Sequence, residues 1–327
     1  MASNSSVISV GFSAKNLNLQ AVIVQVLIAV FLSINLFLIS TFFRREVFYT
    51  TMRYILFVVT LLSDSLFLIM ADSLLLLSYF GFAIHMWLCL ILYIILSVYS
   101  FVTPLTLTAM SLERYVAICM PLRHAELCNT RGALKLIFII HSISAVPCTV
   151  NLCIFSAAVS FSIYSQSRVC SVETFLLFSW QGHLRSAISQ FFFLIIFTII
   201  VFSYVQIMKV AKTASGENKK STWKGLRTVI LHGLQLLLGL IQLWCGFIEA
   251  AVLKVNLTLY INVRYFNYVM FFLAPRCLSP LIYGLRDELF YQALKSYAWR
   301  QKIKHLITKL KHDKTLGRTK TVTQQRR

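Results

Sequence analysis

Seven long blocks of apolar residues, separated by short polar segments, dominate the pattern along the chain. Each block is long enough to cross about 30 Å of hydrocarbon as a helix of about 20 residues. The blocks cover residues 21–43, 54–78, 86–112, 133–158, 187–210, 228–252 and 263–285. The pattern therefore predicts an all-α membrane protein built as a seven-transmembrane helix bundle.

A different periodicity follows the last block. Apolar residues recur there at helical spacing, with basic residues nearby; the apolar set is Leu289, Phe290, Ala293, Leu294 and Tyr297. This spacing is typical of an amphipathic helix that lies on a membrane surface. We therefore divide the chain into an extracellular N-tail (1–20), the seven-transmembrane bundle (21–285) and a cytoplasmic amphipathic helix with a basic tail (286–327).

Composition and charge fix the environment and the orientation. The chain is 58% hydrophobic and only 13% charged, too few charges to cover a soluble domain of this size. Of the 31 Lys and Arg residues, 25 lie on one side of the predicted spans and five on the other. The basic side is predicted to be cytoplasmic, which puts the N-terminus outside. The net charge of +20 then faces the anionic inner leaflet and does not indicate nucleic-acid binding.

Two cysteines and one asparagine fit the outer side. Cys89 begins the third span, and Cys170 is the only cysteine of the outer loop 159–186. Both meet an oxidising environment, which favours a disulfide between them. Asn4 starts an Asn-Ser-Ser glycosylation acceptor in the N-tail.

The end of the third span carries the most specific motif. The segment reads Met110-Ser-Leu-Glu-Arg-Tyr-Val-Ala-Ile-Cys-Met-Pro-Leu-Arg-His124. It resembles the signature of class A (rhodopsin-like) G-protein-coupled receptors, in the version found in vertebrate odorant receptors and closest to the fish type. Other matches are the spacing of Cys89 to Arg114, the Asn35 and Asp64 pair, Tyr204, the Lys224, Thr228 and His232 set, and Pro275 to Tyr283.

The resemblance implies residues for G-protein coupling and activation. These are Glu113, Arg114, Tyr115, Tyr204, His232, Pro280 and Tyr283. An arginine cannot lose its proton, so Arg114 can pair with Glu113 at rest and be released toward a G-protein helix on activation. The implied partner is a heterotrimeric stimulatory G protein that raises cyclic AMP.

Asp64 lies in the middle of the second span, where a charge needs a partner. The resemblance implies a sodium ion or a polar network shared with Asn35, Thr103 and Ser279. This chain adds Arg276, so a second hypothesis is that Arg276 pairs with Asp64 in place of the cation. No other metal and no cofactor is expected.

Several family features are missing. The region of the fourth span around His141 has no tryptophan, and Leu240 stands where the switch aromatic of span six is expected. Ser279 replaces the usual asparagine or aspartate, and span five has no proline. The step that relays ligand binding therefore cannot be copied from the family.

The resemblance places the ligand pocket in the outer half of the bundle. Leu96 stands where amine receptors have an aspartate, which argues against amine ligands. The candidates are mostly apolar, with a few hydroxyls, and suit a small apolar odorant: Leu96, Ser97, Ser100, Phe101, Ile188, Ser189, Phe192, Leu243, Trp244, Phe247, Tyr265, Val269 and Phe272.

The leading hypothesis is an odorant receptor in the plasma membrane of olfactory sensory neurons, in contact with membrane lipids and compatible with homo- or heterodimers. One alternative is a class A receptor for a peptide or lipid. A transporter is a remote alternative, because it predicts internal repeats that the chain lacks. An enzyme is not expected, because no nucleophile–base pair or metal constellation appears.

Overall fold

The computed structural model describes residues 2–170, 172–215, 234, 237–238, 241–242, 244–278 and 289–296. Most of these residues are helical. The helices are α1 (Ala2–Phe42), α2 (Val47–Thr50), α3 (Met52–Tyr79), α4 (Met86–Cys119), α5 (Pro121–Leu127), α6 (Thr130–Ala158), α7 (Ser179–Ser215), α8 (Trp244–Leu253), α9 (Leu257–Asn267) and α10 (289–296). Short 3₁₀ turns cover Phe161–Ser165 and Val172–Phe175.

Five of the described helices are long and apolar enough to cross a membrane. They cover the first five predicted spans except residue 43 and extend past most of the predicted ends. The apolar part of α1 begins at Asn18. The sixth predicted span lies partly outside the described residues, as does the end of the seventh. The backbone of the predicted N-tail is helical and continuous with the first span, because no proline interrupts Ala2–Phe42.

Helix α4 is the centre of the bundle and packs against α3, α6 and α7. Its contact with α7 is a cluster formed by Phe101, Phe193, Ile196, Ile200 and Tyr204. A second cluster joins α1 and α3 to the last span through Val24, Ile28, Leu68 and Leu273. Helix α4 therefore contacts α3, α6 and α7, whereas the last span packs against α1 and α3.

One end of the bundle, which we call the disulfide end, is fastened by a bond and a strand pair. Cys89 is bonded to Cys170, as predicted. The strands β1 (Ala83–His85) and β2 (Ser167–Val169) pair antiparallel beside it, with Ala83 opposite Val169. The all-α prediction is confirmed apart from this strand pair, which forms because the disulfide holds the second strand against the start of α4.

The last described span contains a local change of helix type. A π-helical turn covers Tyr268–Leu273 and is followed by α-helix at 274–278. Pro275 has no N–H for the usual bond and its ring crowds the preceding turn, and a π turn is one of the ways a helix accommodates such a break. The turn sets the direction in which the next residue, Arg276, projects.

Helix α10 belongs to a second compact unit, Tyr283–Arg327. Within it, Phe290 and Ala293 are buried and Leu294 is half-buried, whereas Leu289 and Tyr291 are exposed. Phe290, Ala293 and Leu294 follow the spacing of one helical face. Leu289, which the sequence pattern placed in the same apolar set, is exposed, and the position of the helix on the membrane surface stays a prediction. Tyr297 lies outside the described residues.

Candidate functional site

A buried ion pair joins the second span to the last. Arg276 Nη1 donates to Asp64 Oδ1 at 2.9 Å, and Asp64 is fully buried while Arg276 is 7% exposed. Thr103 Oγ1 of α4 also donates to Asp64 Oδ1, at 2.6 Å. The arginine therefore stands against the aspartate, as the second hypothesis for Asp64 requires.

The guanidinium of Arg276 is held by further groups. Its Nη1 lies 3.5 Å from Thr103 Oγ1 and its Nη2 lies 3.5 Å from the Tyr99 carbonyl oxygen. Its Cζ sits 3.3 Å from the centre of the Phe67 ring, a cation–π contact. Asp64 Oδ2 is buried without a hydrogen-bond partner among the described residues. The centre thus links α3, α4 and the last span through one charge pair.

The other predicted members of this polar core are placed differently. Asn35 is buried, and its Nδ2 donates to Ser65 Oγ at 3.1 Å. It therefore bonds to the residue after Asp64 rather than to the carboxylate. Ser279 lies outside the described residues. Within the described part of the chain, no group of three or more His, Cys, Asp or Glu side chains is arranged to hold a metal ion.

The Glu113-Arg114-Tyr115 motif lies at the end of α4 opposite the disulfide. Glu113 is buried, and its Oε1 lies 3.2 Å from Nε2 of His124 in α5. The sequence suggested Arg114 as the partner of Glu113, and that pairing stays a prediction. The contact with His124 was missed, because it depends on how the chain turns at Pro121 into α5. Burial, and then the charge of Glu113, raises the pKa of the Cys128 thiol beside this pair.

Two other activation candidates contact the neighbouring helix. The Tyr115 ring lies 5.9 Å from the Phe202 ring of α7. Tyr204 is buried in the α4–α7 cluster. The remaining activation candidates, His232, Pro280 and Tyr283, lie outside the described residues.

The ligand candidates on α4 and α7 come together. Phe101 packs against Phe192 and Phe193, with ring centres 5.7 and 6.3 Å apart. Ser189 is buried, Ile188 is half-buried, and Ser100 donates to the carbonyl oxygen of Ser97. Leu96 instead packs against α3, with Phe67 and Ala71.

The remaining described candidates lie in three different places. Trp244 and Phe247 are exposed on α8, and the Phe247 ring stacks on His183 of α7 at 5.6 Å. Tyr265 and Val269 pack against the α1–α3 cluster. The centre of the Phe272 ring lies 4.9 Å from the centre of the Phe67 ring, beside the ion pair. Leu243 lies outside the described residues. The described candidates therefore lie in more than one packing environment.

Sequence reasoning also missed the partner of Asp72. Gln25 Nε2 of α1 donates to Asp72 Oδ1. The sequence did contain a signal for this contact. Gln25 is a polar residue in the first apolar block and Asp72 is one in the second, and polar side chains inside a membrane need partners. Glu249 of α8 is similarly occupied and accepts from Asn267 Nδ2 at 3.0 Å.

Comparison with known proteins agrees with this arrangement. The family 7 transmembrane receptor (rhodopsin family) matches residues 34–283. The chain is 42% identical over 291 residues to Odorant receptor 131-2 of Danio rerio, an alignment that covers 88% of each protein. It is 24% identical over 208 residues to Olfactory receptor 10P1 of Homo sapiens, covering 60% of this chain and 62% of that protein. The chain therefore belongs to the rhodopsin family of seven-transmembrane receptors, among the fish-type odorant receptors.

Proposed function

We propose that this chain binds a small odorant in the half of the bundle next to the disulfide and activates a stimulatory G protein, which raises cyclic AMP. The observation that carries the proposal is the 42% identity to a zebrafish odorant receptor over 88% of the chain. The separation of the two functional ends supports it. Candidate ligand residues on α4 and α7 lie toward the disulfide end, whereas Glu113 and Arg114 lie at the other end of α4.

The proposed orientation puts the disulfide end outside the cell. The N-terminus is extracellular and the basic tail cytoplasmic, as the 25-to-5 distribution of Lys and Arg favours. A disulfide forms in an oxidising compartment, so the bond between Cys89 and Cys170 supports the same assignment. The receptor acts in the plasma membrane of olfactory sensory neurons.

In the proposed mechanism an odorant shifts a two-state equilibrium of the bundle. Glu113 and His124 hold the end of α4 against α5 at rest. Activation opens the cytoplasmic face, where Arg114, Tyr115 and Tyr204 meet a G-protein helix. The pair Arg276–Asp64 takes the place of a bound cation and fixes the last span against α3 and α4.

The test is a cyclic-AMP assay in cells that express the receptor and an olfactory stimulatory G protein. Odorants should raise cyclic AMP in a concentration-dependent way, and Arg114→Ala should abolish the response at equal surface expression. Arg131→Ala, on α6 beyond the motif, is the matched control and should respond normally. Responses confined to peptides or lipids would instead support the alternative class of ligand.

A further inference from the structure

A cluster of polar side chains lies between α4, α6 and α7 near the disulfide. Tyr93 of α4 and Asn151 of α6 are each 3% exposed. Neither the Tyr93 hydroxyl nor Asn151 Oδ1 makes a hydrogen bond of good geometry among the described residues. Ser97 and Asn151 approach the Tyr93 hydroxyl, and the guanidinium of Arg185 is near enough to interact with it electrostatically. Buried polar atoms that lack partners are costly, so this cluster calls for a ligand.

The helix register explains why Arg185 is directed toward Tyr93. Residues four apart lie on one helical face, so Arg185, Ser189 and Phe193 form one stripe of α7. Tyr93, Ser97 and Phe101 form the matching stripe of α4. Both helices begin at the disulfide end, and Phe101 packs against Phe193. Tyr93 and Arg185 each lie eight residues, or about two helical turns, before Phe101 and Phe193. The register that brings these phenylalanines together therefore also brings Tyr93 opposite Arg185.

Among the side chains that the structure describes, none of the recorded ion pairs joins Arg185 to a carboxylate. The acids on neighbouring spans already have partners, since Asp72 accepts from Gln25 and Glu249 accepts from Asn267. Asp64 is paired with Arg276. The cluster therefore has one positive charge, two hydroxyls and an amide oxygen, with an aromatic floor formed by Phe101, Phe192 and Phe193.

We propose that the odorant is an anionic amphiphile, whose carboxylate binds Arg185 beside Tyr93 while its apolar body packs on the phenylalanines below. Arginine suits this role because its planar guanidinium matches the two oxygens of a carboxylate. The Tyr93 hydroxyl donates to the same carboxylate. The proposal rests on the proposed odorant-receptor function and assigns the chemical class of its ligand.

The experiment compares matched acids and amides in the cyclic-AMP assay. The probes are hexanoate, octanoate and 3-phenylpropanoate, each tested beside its primary amide. The wild-type receptor should respond to at least one acid at a concentration at least about 10-fold lower than to its amide, the size of effect that a charge-assisted bond gives. Arg185→Gln should raise the half-maximal concentration of that acid about 10- to 100-fold and leave the amide within about two-fold.

Three variants test the geometry at equal surface expression. Arg185→Lys keeps the charge and should lose less than Arg185→Gln, and Tyr93→Phe should weaken the acid by about 3- to 10-fold. Arg168→Gln is the matched control, because Arg168 lies on β2 and donates to Gln166. It should leave both kinds of probe unchanged.

The outcomes separate the two claims. Equal potency of acids and amides, or an acid response that Arg185→Gln leaves intact, would overturn the anionic ligand and keep the odorant receptor. Activation by neutral odorants alone would do the same. A receptor that reaches the surface and answers to no odorant, acidic or neutral, would count against both.

Discussion

Arg276 and Asp64 form a carboxylate–guanidinium pair, and both side chains are buried. Removing one partner of such a pair leaves the other charged in a low-dielectric site, which typically costs about 3–5 kcal/mol. The cost of the intact pair is offset by Thr103 and by the Phe67 ring. The pair therefore adds a charged contact to the apolar packing that holds the last span against α3.

We predict that Arg276→Ala lowers the free energy of unfolding by about 3–5 kcal/mol and makes stability depend on sodium, because a cation can then reach Asp64. Thermal unfolding of purified receptor in sodium chloride and in choline chloride measures both effects. Arg264→Ala is the control: Arg264 is exposed and donates to Tyr260 at 2.7 Å. Equal unfolding temperatures for the two variants, with no effect of sodium, would contradict the role assigned to Arg276.

For individual residues, the sequence shows which buried polar side chains need a partner. It is less informative about which residue that partner is. Asp64 could be matched to Arg276 because both charges lie in apolar blocks. His124 was not matched to Glu113, and Gln25 was not matched to Asp72, since a contact between helices depends on rotation and tilt. Hydrophobic periodicity does not fix either quantity across two separate helices.

The connection between α5 and α6 shows how a helix end is defined. Asn129 caps α6 by accepting from the Gly132 N–H at 2.7 Å. A Cβ on Gly132 would lie 2.4 Å from the Leu127 carbonyl oxygen. The backbone of α5 therefore reaches the first turn of α6 only because that position lacks a side chain.

We predict that Gly132→Ala opens this connection and destabilises the receptor, whereas alanine in a helix would ordinarily be favoured over glycine by about 1 kcal/mol. Asn129→Ala should cost about 1 kcal/mol through the lost cap. Gly182→Ala is the control, because a Cβ there meets nothing within 4 Å. The unfolding temperature of Gly182→Ala should be higher than that of Gly132→Ala. The reverse order would rule out the close approach between Gly132 and the Leu127 carbonyl oxygen.

Element ends were the least predictable part of the fold. The third block was predicted to end at residue 112, but α4 continues to Cys119. Similarly, α7 begins at Ser179 rather than near residue 187. Hydropathy follows the thickness of the bilayer, whereas a helix continues into water until a proline, a cap or a glycine ends it.

The whole molecule has an orientation that charge alone predicts, and Asn4 offers a direct test. An N-terminus outside the cell should carry a glycan at Asn4, which peptide N-glycosidase F removes with a downward shift in gel mobility. Asn4→Gln should abolish the shift. Asn256→Gln should preserve it, because Asn256 caps α9 through the Thr258 N–H. An unglycosylated surface receptor with a protected N-terminus would reverse the assigned topology.

The overall architecture was largely accessible from the sequence, because a bilayer allows few solutions: apolar blocks of sufficient length become spanning helices. The site was less accessible. Leu96 is in contact with α3 rather than with Phe101, and Arg185 lies in the segment 159–186 that the sequence predicted to be an outer loop. The position of Arg185 opposite Tyr93 follows from the register of α4 against α7. That register is known only from the contact between Phe101 and Phe193.

The separation of the ion pair along the chain has a consequence for biosynthesis. Asp64 enters the membrane early in translation, while Arg276 is made 212 residues later. During that interval the Asp64 carboxylate lies in an incomplete bundle that does not yet contain Arg276. A nascent chain that ends before the last span therefore presents an unneutralised acid within the bilayer, a difference that the cell's membrane-protein quality control has the means to detect.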